Sequence, residues 1–170
     1  MDRRDILITA GITVAITIGL MVLSIVTGGY ASTGGVPGLA QSSHELDGPI
    51  LLHLATAAGA AIVGPFILLR QKGDRLHKTL GRIWAALMMI TAICSAFIRT
   101  PGAGIAGTGF SFIHFFTIWT LINIPIGVWA ARTGRVGMHR GIMAGLYIGL
   151  LVAGAFTFIP GRMLGNLVFG

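Results

Sequence analysis

Hydrophobic and polar positions alternate in long blocks along this chain, without the short periods of an amphipathic soluble fold. Five apolar blocks, at 6–26, 50–69, 80–98, 110–131 and 141–159, are separated by short polar segments. Each is about as long as the roughly 20 residues needed to cross a hydrocarbon core. The pattern predicts an all-α integral membrane protein with five transmembrane helices. An N-terminal anchor over 1–27 is followed by an external Gly-rich loop over 28–49. A four-helix core over 50–159 comes next, and then an external tail over 160–170.

Composition agrees with the blocks. Of 170 residues, 54% are hydrophobic and only 10% charged, with a mean hydropathy of +0.86. That is more apolar surface than a soluble domain of this size buries. Arg3 and Arg4 precede the first block, but its 21 residues exceed a secretory signal core of about 7–15, so a retained anchor is expected.

Charge then orients the chain. With the N-terminus in the cytoplasm, Arg3, Arg4, Arg70, Lys72, Arg75, Lys78, Arg82, Arg132, Arg135 and Arg140 lie inside, and only Arg99 and Arg162 outside. This bias places the chain in a bacterial inner membrane with its N-terminus inside and its C-terminus outside. The net charge of +7 and the pI near 11.2 then reflect topology and attraction to anionic membrane lipid. A nucleic-acid partner is disfavoured, because the basic residues are split among short loops with no interleaved aromatic patch.

The same reading narrows the chemistry. The single cysteine, Cys94, falls inside the third block, so neither a disulfide nor a CxxC pair forms within the chain, and a small packing role is expected. All five acids, Asp2, Asp5, Glu45, Asp47 and Asp74, sit at ends or in loops, which argues against ion-coupled transport through intramembrane carboxylates. Ser111 precedes His114 by three residues, but no carboxylate within the membrane completes a hydrolytic triad. Asp47 before Gly48-Pro49 reads as a helix N-cap. The adjacent pair His44-Glu45 does not make a coordination shell. The small residues from Ala55 to Ala61 invite close approach by a neighbour, and Gly64-Pro65 and Pro125 interrupt the second and fourth blocks.

Four histidines carry the functional signal. His53 is followed by Pro65, Arg70, Gly73 and His77-Lys78; His114 is followed by Pro125, Arg132, Gly134 and His139-Arg140. The arginine-to-histidine interval is seven in both copies. A duplicated helical hairpin explains this, with both copies entering the membrane from the same side and related by an axis along its normal. The result is a pseudo-twofold four-helix bundle with two histidine layers: His53 with His114 outside, and His77 with His139 in the basic inner turns. About 25 Å of helix, at roughly 1.5 Å per residue, separates the layers.

Two histidines per layer on diagonally opposed helices suit the axial ligation of haem b, one or two per chain. Arg70, Arg75, Lys78, Arg82 and Arg140 would meet the inner propionates. Electron transfer across the membrane is the expected function, with a quinol or other small reductant as partner; whether the chain is an enzyme stays open. The alternative is a non-catalytic accessory subunit or assembly factor of a larger membrane complex, in which the histidines bind a pigment or serve structure alone.

Leu76-His77-Lys78-Thr79-Leu80-Gly81-Arg82, with Gly64-Pro65-Phe66 upstream and Met138-His139-Arg140 downstream, resembles an uncharacterised family of bacterial predicted membrane proteins, domain of unknown function 2306. The resemblance covers about 53–147. The helix order of the histidines is also similar to that of transmembrane di-haem b-type cytochromes. That likeness implies one haem shared by the second and fourth segments and another by the third and fifth.

The topology is directly testable. A reporter fused after Gly170 is expected to be active only outside the cytoplasm; cytoplasmic activity there would overturn the five-helix arrangement.

Overall fold

A computed structural model describes residues 48–98 and 113–157. The expected anchor, the Gly-rich loop with His44, Glu45 and Asp47, the segment carrying Arg99, and the C-terminal tail lie outside the described residues. Within them the chain is helical and has no strand: α1 is Gly48–Leu69, α2 Arg75–Phe97, α3 Ile113–Arg132 and α4 Val136–Phe156. All four are long and apolar enough to cross a membrane. The 22 residues of α1 span about 33 Å at roughly 1.5 Å per residue, close to the thickness of a bilayer core.

Two boundaries differ from the sequence expectation. Hydropathy starts the third block at residue 80 and the fifth at 141, but α2 begins at Arg75 and α4 at Val136. His77 and His139 therefore belong to the opening turns of helices and not to the connecting loops. Long basic side chains explain the extension, since they keep their charges in water while the backbone is already helical. Asp74 supplies a further reason on α2: its carboxylate accepts from the His77 N–H at 2.6 Å, satisfying one of the first-turn donors. Gly73 and Gly134 take positive φ, 88° and 74°, at corresponding places in the two tight turns.

The helices pack in a ring. The α1–α2 interface is the most extensive, α2 meets α3, α3 meets α4, and α4 returns to α1 through a smaller contact. Ala60, Trp84, Ala85, Met88, Ile124 and Leu146 form the central apolar cluster. The small residues of α1 do admit a bulky neighbour, because Trp84 lies against them and donates its indole N–H to the Ala60 carbonyl at 3.0 Å. Cys94 is buried and free, in keeping with a packing role. On α4, Gly141, Gly145 and Gly149 are all buried at intervals of four, a small-residue stripe turned into the bundle.

Pro65 has no N–H to offer the carbonyl four residues before it, that of Ala61. Tyr147 on α4 supplies the missing donor, its hydroxyl reaching Ala61 O at 3.2 Å. The ring of Tyr147 lies directly over Gly64, where a Cβ would collide with it. Glycine at 64 and proline at 65 thus act together: one leaves room for the ring and the other exposes the acceptor for its hydroxyl.

Two stability measurements follow from these contacts. Gly64→Ala is expected to lower stability in detergent by about 1–3 kcal/mol through overpacking, with most of the loss relieved when Tyr147→Ala is added. Gly81→Ala, at a site where a Cβ meets nothing within 4 Å, should show no such loss. Tyr147→Phe removes only the hydroxyl and should cost about 0.6 kcal/mol, the average for hydrogen bonds between membrane helices. A neutral Gly64→Ala variant would overturn this account.

Asp74 makes the stability itself pH-dependent. Its hydrogen bond from Arg70 holds its carboxyl below the ordinary carboxylate range, aided by the His77 N–H. A depressed folded-state pKa contributes stability that is present above the ordinary value and lost as pH falls through the lowered one. Thermal midpoints of the wild type should therefore fall across that acidic window more steeply than those of Asp74→Asn; parallel curves would exclude the linkage.

Candidate functional site

The histidines are set by the helices just described. His53 lies near the start of α1, one turn before Thr56, and its Nδ1 donates to the Thr91 carbonyl of α2 at 2.9 Å. A carbonyl only accepts, so Nδ1 carries the proton and Nε2 keeps its lone pair. His114, near the start of α3, is buried at 8% exposure.

Around these two residues a buried polar layer spans three helices. Thr91 Oγ1 donates to Thr56 Oγ1 at 2.8 Å, Thr56 Oγ1 donates in turn to Leu52 O at 2.7 Å, and Ser95 Oγ pairs with Thr117 Oγ1 at 2.9 Å. In a lipid surrounding such groups have no water to fall back on, so pairing across helices fixes their register.

At the other end, His139 in the first turn of α4 repeats the device seen at His53. Its Nδ1 donates to the Gly127 carbonyl of α3 at 2.9 Å, which again leaves Nε2 with its lone pair. His77, at the corresponding place on α2, faces the Ile67 carbonyl of α1. Its Nδ1 is buried and has no hydrogen-bond partner. His77 and His139 are near enough to interact electrostatically, although they stand on different hairpins.

Gly81, one turn along α2 from His77 and therefore on the same face, has open space where a Cβ would be. Among the described residues no group of three or more His, Cys, Asp or Glu side chains is placed to hold a metal ion.

The cations named from the sequence divide into two kinds. Arg70 is tied to its own turn: its guanidinium reaches Asp74 Oδ2 at 2.7 Å. Arg75, Lys78, Arg82 and Arg140 are exposed. Lys72 folds back onto the end of α1, donating to Ile67 O at 3.0 Å and to Leu68 O. Partial burial lowers its pKa, and the neighbouring charge of Arg140 lowers it further.

The sequence reading overlooked the partners of the histidines. Thr91 and Gly127 act through backbone carbonyls, which leave no mark in sequence. Thr56 and Thr117 were legible in principle, as polar residues three positions after a histidine within an apolar block.

Residues 50–168 match the family model described as "Predicted membrane protein (DUF2306)". No curated protein and no solved structure matches the chain. The match covers most of the chain, which belongs to this family of membrane proteins.

Proposed function

We propose that this DUF2306 protein binds b-type haem between its paired histidines and carries single electrons across a bacterial inner membrane. The architecture proposed with it is an N-terminal anchor plus two tandem hairpins related by an axis along the membrane normal, with the basic end in the cytoplasm. The observation that carries the reading is the tautomer that the fold imposes on His53 and His139. Each donates Nδ1–H to a backbone carbonyl of a neighbouring helix and keeps an Nε2 lone pair, the arrangement by which proteins orient an imidazole for metal ligation.

His77 supports the same reading through its buried Nδ1 without a hydrogen-bond partner and through the space over Gly81 on its own face. A flat macrocycle needs both a lone pair and an absent side chain at that level. When bound, haem would supply a one-electron couple.

The chain's own residues do the remaining work. His77 and His139 would hold the inner group and His53 and His114 the outer one. Arg75, Lys78 and Arg82, exposed at the basic end, would meet propionates in charge-assisted hydrogen bonds. Arg70 is left out of that set by its bond to Asp74. Thr56 and Thr91 keep the outer helices in register so that the Thr91 carbonyl continues to aim His53. Electron partners of the quinol, ascorbate or ferric-iron class suit a centre near each surface.

The absorption spectrum of the purified full chain tests this. Soret and α bands that sharpen on reduction are expected. His53→Leu or His114→Leu should abolish one component, and His77→Leu or His139→Leu the other, while His44→Leu leaves both. A colourless protein, or a spectrum indifferent to all four core substitutions, would replace this reading with that of an accessory subunit packing through its Gly- and Ala-rich faces.

A further inference from the structure

The two hairpin turns are built alike and charged oppositely. In the first, Gly73 at positive φ is followed by Asp74, whose carboxylate caps α2 and binds Arg70. In the second, Gly134 at positive φ is followed by Arg135. There α4 starts with no side-chain cap and no acid in its first turn. Where the first turn has its carboxylate, the second has an open surface cavity lined by Gly134, Arg135, Val136, Gly137, Met138 and Arg140.

Two cations line this corner and a third lies nearby. Arg135 and Arg140 line the cavity, and Lys72 of the other turn lies close enough to Arg140 to feel its charge. No acid lines the cavity, so the repulsion among these groups is not relieved there by the chain's own carboxylates. The Arg135 guanidinium sits 4.5 Å over the ring of Trp129, which is itself 46% exposed. An exposed tryptophan at the end of a membrane-crossing helix marks the headgroup level.

We infer that this cavity binds a phosphate group, supplied by the headgroup of an anionic phospholipid, which takes the place that the Asp74 carboxylate fills in the first hairpin. Phosphodiester oxygens would accept from the Arg135 and Arg140 guanidiniums. The acyl chains would continue along the exposed apolar residues of the bundle, among them Trp129 and Val136. The site lies at the same end of the bundle as His77 and His139 but uses the guanidiniums of Arg135 and Arg140, and its occupation does not depend on whether the imidazoles hold haem.

The test uses the full chain in nanodiscs of phosphatidylcholine doped with phosphatidylglycerol. Native mass spectrometry counts the phosphatidylglycerol retained per protein on release. The wild type should retain it selectively and melt at a higher temperature than in pure phosphatidylcholine. Arg135→Asp, which restores the carboxylate of the first turn, should lose the selectivity by at least about fivefold, the effect of one surface charge, while melting in pure phosphatidylcholine no lower than the wild type. Arg135→Gln should fall between the two, and it keeps the test decisive if the aspartate variant fails to fold.

If inorganic phosphate at millimolar concentration gives the same stabilisation in pure phosphatidylcholine, the phosphate chemistry stands and the lipid source is overturned. Equal retention of phosphatidylglycerol and phosphatidylcholine by the wild type, or undiminished selectivity in both variants, overturns the site itself. A colourless protein that still selects phosphatidylglycerol would sink the haem reading and leave this one standing.

Discussion

A backbone carbonyl inside a bilayer has no water to bond, and the whole described structure can be organised around how this chain meets that constraint at Pro65. The proline removes the donor for Ala61, one helical turn back, and in hydrocarbon no water takes its place. Tyr147 comes from α4 to meet it, and Trp84 comes from α2 to the adjacent carbonyl of Ala60. Two helices are thereby fastened to one turn of α1 from different sides. The α1–α4 contact that closes the ring is the slimmest of the four, so a single hydroxyl with its glycine seat matters more there than it would at the broad α1–α2 interface.

With the middle of the bundle fixed, polar groups can be placed above and below it at little penalty. The Thr56–Thr91 and Ser95–Thr117 pairs knit α1 to α2 and α2 to α3 on the side where His53 and His114 lie. These pairs set the axial register of the helices, and register decides which carbonyl a histidine meets. A slip of α2 by one residue, about 1.5 Å, would carry the Thr91 carbonyl away from His53. The tautomer of His53 is thus a consequence of helix packing, two steps removed from any property of the histidine itself.

Much of this was legible in the sequence because membrane helices announce themselves by length and hydropathy alone. The four described helices fall where the apolar blocks predict. The helix starts were misplaced because hydropathy marks where lipid begins and not where hydrogen bonding begins. Arg75, His77 and Lys78 are polar enough to read as loop, although the Asp74 cap has already made them helix. The roles of Trp84 and Tyr147 were hidden for another reason. Each is an apolar ring in an apolar block, and only its polar tip, directed at a carbonyl 24 or 86 residues away, gives it meaning.

The two hairpins share a backbone plan but not an electrostatic one, and that difference constrains how the repeat can work. Asp74 neutralises Arg70 and holds the His77 N–H, so the first turn is locally complete. Arg135 can do neither for the second, and it turns instead to the face of Trp129. Had both turns kept an acid, their charges would be balanced within the chain, and the basic end would have less hold on the membrane surface. Were it absent from both, no side chain among the described residues would cap α2 or restrain Arg70. With a carboxylate on one hairpin alone, the bundle has a first half braced internally and a second half open to an anion from its surroundings.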